Sequence, residues 1–368
     1  MKLNKKMIIM LASVIGVVVV LIIIIMLFVG GGNKKLSYDK IEEKIIAAGE
    51  SYFTDNEDKL PKVGTISVDV DTLVKEGYLN DLSKYTDDNV TCDGTLYVTK
   101  NPSGYAYRAN LDCGKKYTTN SLADVIIGNG VVTNGSGLYE ENQVNPNDNL
   151  NTHKVYVFKG DNVHNYVKIG DFYWEIIKVY ENGEIAVLGD PELLTTIWDN
   201  RYNIDNQSYN GINEYEVSRL KDTINSTIVE DEEGYLNIKK VITTHTACIG
   251  KRGLDDNSKD GSTECSETLE NQYFSLLPVY DYMNASLDEN CSIATDSSCY
   301  NYNFLASYDE SWTITGVLEN TQDVYYIDIS MDKEEANTNK DVRLYVHLDA
   351  SVTYVSGSGT YEDPYIVK

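Results

Sequence analysis

A chain of 368 residues with 57 acidic against 31 basic side chains carries a formal net charge of −26 at pH 7. That balance argues against nucleic acid or an anionic membrane surface as a partner, because phosphate binding needs clustered Lys and Arg. It favours solubility, and calcium is the cation such a surface meets outside a cell.

In chain order the first element is apolar. Residues 7–29 carry no charge, and a helix of that length at about 1.5 Å rise per residue reaches roughly 35 Å, enough to cross a hydrocarbon core of about 30 Å. Lys2, Lys5 and Lys6 precede it, whereas Lys34 and Lys35 are soon diluted by Asp39, Glu42 and Glu43. The bias favours a cytoplasmic tail over residues 1–6. Phe28-Val29-Gly30-Gly31-Gly32 offers no A-x-A-like cleavage site, so 7–29 reads as an uncleaved, single-pass signal-anchor. Everything beyond it is expected to be extracellular.

Ile41, Ile45, Ala48 and Tyr52 recur at helical spacing and predict a stalk helix within residues 30–60, opening near Ser37 and ending near Asp55-Asn56. Asp69 or Asp71 caps a short helix over 72–76, closed by Gly77. Runs 95–99 and 105–109 flank Asn101-Pro102-Ser103-Gly104, a hairpin signature. Residues 61–127 therefore read as a small α+β module clipped by Cys92 and Cys113. The Gly- and Asn-rich stretch 128–152 reads as a linker.

Residues 153–368 open with alternating strands at 166–169 and 172–179, then Asn182-Gly183 turns the chain into 185–188. Helices are predicted over 214–228, with Val217, Leu220 and Ile224 on one face, and over 278–287. Late strands are predicted at 324–329, 342–348 and 365–367. Few helices and many short strands make one α+β domain. Trp174 and Trp312 fall on strands, which assigns them to the core.

The six cysteines, Cys92, Cys113, Cys248, Cys265, Cys291 and Cys299, form three pairs of chain neighbours. Although other connectivities are formally open, local disulfides are expected, each contributing about 2–3 kcal/mol, in an oxidising compartment. No zinc-ligand spacing links them to His153, His164, His245 or His347.

Chemistry-bearing motifs are sparse. Asp256, Ser258, Asp260, Ser262 and Glu264 stand at alternate positions of a loop with Gly261 sixth and Glu267 twelfth. That is the oxygen spacing of an EF-hand loop, so calcium is a candidate ligand there, although Thr263 stands where an apolar residue is usual. There is no G-x-S-x-G, H-E-x-x-H or P-loop. His245 and His347 read as structural. Trp198, Tyr202 and Tyr209 sit among polar residues, and together they form a candidate stacking surface for a sugar or a protein.

Four elements in order carry a resemblance: the hairpin Asn165-Tyr166-Val167 through Phe172-Tyr173-Trp174-Glu175, the run Trp312-Thr313-Ile314-Thr315, Val342-Arg343-Leu344-Tyr345-Val346-His347-Leu348, and Gly357-Ser358-Gly359-Thr360 with Pro364-Tyr365. In these the chain resembles uncharacterised membrane-anchored surface proteins of low-GC Gram-positive bacteria. Their C-terminal module is similar to the C-type-lectin-like superfamily, which includes formylglycine-generating enzymes. The resemblance implies a mixed domain of short antiparallel strands whose first and last strands pair. Enzymatic activity does not carry over, because Cys291 and Cys299 read as an ordinary disulfide; Gly316 replaces the proline usual after W-T-x-T, so a different local loop is expected there. The expectation is a non-enzymatic, anchored ectodomain that binds an extracellular glycan or protein. The alternatives are a pilin-like structural subunit, which lacks its Gly-Phe processing site here, and a divergent enzyme that would need a free cysteine.

Overall fold

The computed structural model describes residues 35–148, 151–189, 194–230, 236–306 and 310–368. The expected membrane segment, 7–29, lies outside the described residues, among which no helix is long and apolar enough to cross a membrane.

Helix α1, Tyr38–Asp55, turns Ile41, Ile45, Ala48, Gly49, Tyr52 and Phe53 to one buried face, as its helical spacing requires. After β1 (Thr65–Asp69) and α2 (Val70–Lys75), strands β2 (Asp93–Asn101) and β3 (Gly104–Asp112) form the expected hairpin, and β1 adds beside β2. Gly104, at φ 127°, takes the left-handed turn that a side chain would resist. Cys92 and Cys113 join just beyond the last paired residues, Asp93 and Asp112, and so clip the open end. One expectation is corrected here: residues 38–55 are not a free stalk. Their apolar face closes a core with Leu96, Val98 and Leu111 of the sheet.

The stretch expected to be a linker, 128–152, is also structured. Helix α3 (Leu122–Gly128) inserts Leu122, Ala123 and Ile126 into the C-terminal core. Strand β4 (Gly137–Val144) then pairs along its whole length with β5 (Thr152–Lys159). Its Leu138, Gln143 and Val144 are buried, so sparse hydrophobicity concealed a strand.

The chain continues through β6 (Tyr166–Ile169), β7 (Phe172–Tyr180), β8 (Ile185–Gly189), β9 (Thr195–Ile197), α4 (Arg219–Glu230) and α5 (Leu236–Lys239). Next come β10 (Ile242–Thr243), β11 (His245–Cys248), β12 (Thr268–Gln272), α6 (Val279–Ala285) and β13 (Ser311–Gly316). The last strands are β14 (Asp323–Ile327), β15 (Met331–Glu335), β16 (Asn339–Asp341), β17 (Tyr345–Leu348), β18 (Tyr354–Ser356) and β19 (Tyr365–Val367). A nine-stranded sheet runs β10-β17-β8-β7-β6-β19-β18, with β5 joining β7 and β4 outside it. The terminal strand β19 lies parallel to β6, pairing Tyr365 with Val167. A five-stranded sheet, β15-β14-β13-β16-β9, stands apart from it, and β11-β12 form a ribbon. Trp174, Ile176, Val187 and Val346 share one core with Trp198, Leu220 and Trp312. Ile177, Ala186, Leu188 and Tyr345 share another with Val279, Tyr282 and Met283 of α6.

Two further expectations shift. Ser218 is extended at φ −70°, ψ 150° and splits 214–228 into a short turn and α4. Leu220 and Ile224 are buried as expected, but Val217 is exposed. The strand expected over 342–348 narrows to β17, because Arg343 turns its side chain to the Gly189 carbonyl (3.0 Å) and to Glu175.

Gly49 marks the tightest contact of the N-terminal core, since a Cβ there would stand 2.2 Å from Leu96 Cδ2. Gly49→Val is expected to destabilise the protein by about 1–3 kcal/mol through overpacking. Chemical denaturation reads the change, and an unmoved midpoint would show that Leu96 simply swings aside.

Candidate functional site

The site begins with an irregularity in β7. Ile176 pairs with Val187 but Lys178 with Ala186, so Ile177 is an extra residue. A bulge of this kind reverses which residues face each side of a sheet. Trp174 and Ile176 face the first core before the bulge, and Val179 faces it afterwards. Lys178 and Tyr180 are thereby turned to the opposite face, in line with Ala186 on β8 and His347 on β17. Gln143 and His153, opposite each other on β4 and β5, extend that face outward.

Lys178 is fully buried, and so is its partner Asp281, in the first turn of α6. The ammonium also donates to Gln143 Oε1 (2.8 Å) and to the Tyr280 hydroxyl (3.2 Å). Tyr345 donates to Asp281 Oδ2 at 3.1 Å. Burial pulls the Lys178 ammonium below its ordinary value against the pull of Asp281, and pushes the Asp281 carboxyl up. Beside this pair, the imidazoles of His245 and His347 stack with centroids 4.3 Å apart. His245 Nε2 lies 2.8 Å from Ser275 Oγ, and His347 Nδ1 lies 3.4 Å from Glu184. Burial, helped by nearby Lys178, brings His347 down to about 3, and burial with His347 as neighbour brings His245 well below the usual histidine range. Both rings are neutral at neutral pH. Glu184 is pushed up to about 7, first by burial and then by the charge of Asp349.

Gln143, Glu184, His245, Ser275, Tyr280, Tyr345 and His347 from this cluster line a cleft of about 370 Å³, behind which Lys178 and Asp281 are buried. Gln143, Asn145, Asn147 and Thr246 line it with amides and a hydroxyl, Tyr180 and Tyr280 with rings, and His245 and His347 with neutral imidazoles, while His153, Lys154, Glu181 and Glu184 add titratable groups. The part of the lining made by amides, rings and neutral imidazoles suits an uncharged polar group that has an apolar face. Neither Lys178 nor Asp281 was singled out from sequence. The available signal was a lysine inside an apolar run, Ile176-Ile177-Lys178-Val179, since buried charge demands a partner.

Of the residues expected to bind calcium, Asp256, Ser258 and Glu264 gather around a cation of the protein itself. Arg252 is fully buried and holds Glu264 through Nε (2.8 Å) and Nη2 (3.0 Å), Asp256 through Nη1 (3.2 Å) and Ser258 through Nη2 (3.3 Å). Asp260 accepts from Ser262, and Glu267 is exposed. The oxygen spacing is real, but a guanidinium occupies the centre. No group of three or more His, Cys, Asp or Glu among the described residues is placed to hold a metal ion.

The aromatic expectation divides in the same way. Trp198 is fully buried, its indole N–H donating to the Thr313 carbonyl at 3.2 Å, so it is a core residue and no ligand contact. The polar residues that flank it in sequence gave the wrong cue. Tyr202 and Tyr209 are exposed, their rings 5.1 Å apart. Trp174 and Trp312 are buried as expected. The six cysteines close as Cys92–Cys113, Cys248–Cys265 and Cys291–Cys299, with none free.

No protein-family model, curated protein or solved structure matches this chain.

Two outcomes follow from the site. Arg252→Met strands Glu264 as an unpaired buried charge and is expected to cost about 3–5 kcal/mol in chemical denaturation, whereas chelator leaves the melting temperature unchanged. A fall in melting temperature with chelator would restore calcium to the loop. Glu184, with a folded value above its unfolded one, contributes stability that is complete below pH 4.5 and lost as pH rises to about 7. Glu184→Gln should therefore gain about 1–3 kcal/mol on its parent between pH 4.5 and 7.5. A difference that is flat with pH would show that Glu184 is ordinarily solvated.

Proposed function

We propose that this protein is a surface receptor: a membrane-anchored, non-enzymatic ectodomain that binds an extracellular ligand in the cleft between β7, β17, α6 and the β11 ribbon. The observation that carries the proposal is the cleft itself, concave, with amides, tyrosine rings and the neutral imidazoles of His245 and His347 in its lining. Three disulfides fit an oxidising, extracellular setting. The uncharged run 7–29 supplies the anchor, spanning once with its N-terminus inside. The pairing of β19 with β6 supports a C-type-lectin-like arrangement for residues 153–368. A thiol-dependent enzyme draws no support from six paired cysteines.

The test is binding of the full chain, held in nanodiscs, to an array of glycans and cell-wall fragments beside an Asn147→Trp variant. Asn147 is exposed at the cleft, so an indole there obstructs entry without disturbing the core. A ligand whose affinity falls at least about tenfold, or about 1.4 kcal/mol, in the variant supports the cleft. Equal binding by both proteins would move the site elsewhere.

A second reading, a subunit of a surface assembly, draws on the loop 201–210, where Tyr202, Ile204 and Tyr209 are all exposed. Silence on the array together with self-association in sedimentation would favour it.

A further inference from the structure

Two buried polar atoms on the cleft wall have no protein partner: Gln143 Nε2 and His245 Nδ1. Their residues are 2% and 5% exposed, and a buried donor or acceptor left unpaired is costly enough to be rare. What each atom offers is fixed by its neighbours. Gln143 presents its oxygen to the Lys178 ammonium, which has only hydrogens to give. An amide flip would set donor against donor, so Nε2 keeps both hydrogens and is a donor. Ser275 Oγ lies 3.3 Å from the Tyr345 carbonyl, which can only accept, and 2.8 Å from His245 Nε2. A hydroxyl has one hydrogen. Both contacts are satisfied when that hydrogen goes to the carbonyl and His245 Nε2–H donates to Oγ. In that tautomer of the neutral ring, Nδ1 bears a lone pair and is an acceptor.

A donor and an acceptor, both buried, both unpaired and both in one cleft, complement a group that carries a carbonyl beside an N–H. A secondary amide is the simplest such group. The rest of the lining chooses between its two common bearers. Asn145, Asn147 and Thr246 present short hydrogen-bonding groups, and Tyr180 and Tyr280 present rings. These match the hydroxyl edges and apolar face of a sugar ring.

We propose that the cleft recognises the acetamido group of an N-acetylated amino sugar, with Gln143 Nε2 donating to the acetyl carbonyl and His245 Nδ1 accepting from the amide N–H. This rests on the cleft being the ligand site argued above. The lysine is part of the device, because it holds Gln143 in the orientation that makes Nε2 available. His245 is held in turn by Ser275 and by the stack on His347.

The experiment is calorimetric titration of the full chain in nanodiscs with three probes: tri-N-acetylchitotriose, cellotriose, which has a hydroxyl where the first has the acetamido group, and N-acetyl-alanine methylamide. The acetylated trisaccharide is expected to bind at least about tenfold more tightly than cellotriose, because a site built to pair an amide is left with unpaired groups by the analogue. Gln143→Glu, which keeps the acceptor for Lys178 and removes the donor, should weaken the acetylated sugar about 10- to 100-fold. The parent protein's ranking of the probes stands as the test should that variant misfold. Equal affinity for the two trisaccharides, with both lost in Asn147→Trp, overturns the acetamido assignment and leaves the cleft as a binding site. Preference for the alanine amide overturns the sugar in favour of a peptide. No heat with any probe overturns the acetamido proposal, and the glycan array then decides separately whether the cleft binds anything.

Discussion

The buried ion pair between Lys178 and Asp281 is the constraint on which the site depends. Both side chains are completely shielded from water, so each is tolerable only because the other is there. The pair ties the first turn of α6 to the middle of the large sheet at one defined spacing. Tyr280 and Gln143 accept from the ammonium, and Tyr345 donates to the carboxylate. A well-packed apolar pair in the same place could be as stable, but it would not orient Gln143 or depress His347. The charges therefore matter less for holding the fold together than for setting the chemical character of the cleft wall.

The geometry behind that pair is a single extra residue. Without the bulge at Ile177, Lys178 would face the core that holds Trp174 and Ile176, where no counter-charge is available. With it, Val179 returns to the core of Trp174 and Ile176, Ile177 packs in the other core, and Lys178 is turned toward Asp281. Strand β17 repeats the division without a bulge, Val346 and Leu348 facing one side and Tyr345 and His347 the other. The cleft is thus the polar margin of an apolar interface, which is why His245 and His347 are neutral and Glu184 is hard to ionise.

Local chemistry was legible in the sequence and pairing across distance was not. The 93–112 hairpin, the β7–β8 turn at Asn182-Gly183, helix α1 and the three disulfides all rest on residues close together in the chain, and each formed where expected. Strand β4 was hidden because its burial comes from β5 on one side and from the loop around Asp260 at Val144, not from its own composition. Trp198 looked exposed among Asp199, Asn200 and Arg201, yet Asp199 is itself buried and paired with Arg201. The calcium-like spacing was read correctly as a convergence of oxygens, and the missing fact was Arg252, which lies before the loop and enters it. Of the cleft, His245 and His347 were noticed as structural histidines, whereas the lysine and aspartate that define their surroundings needed the register of β7.

The two modules are coupled through the same strand that carries His347. Asp349, just beyond β17, accepts from Thr65 of β1 and from Ser351, with Arg108 of β3 4.0 Å away. Arg108 also donates to the Lys240 carbonyl at 2.8 Å, and Lys368 near the end of β19 reaches Glu42 of α1 at 3.2 Å. The N-terminal module is therefore fixed to the large sheet at two places, through β1 and β3 just beyond β17 and through α1 beside β19. A ligand that orders the β17 side of the cleft acts on a strand already joined to the module that follows residues 7–29. Burial explains why this junction is polar: Asp349 and Arg108 are nearly enclosed, and their opposite charges fix register between two sheets that share no strand. An apolar junction would permit sliding, whereas directional bonds to Asp349 and the Lys240 carbonyl permit one placement.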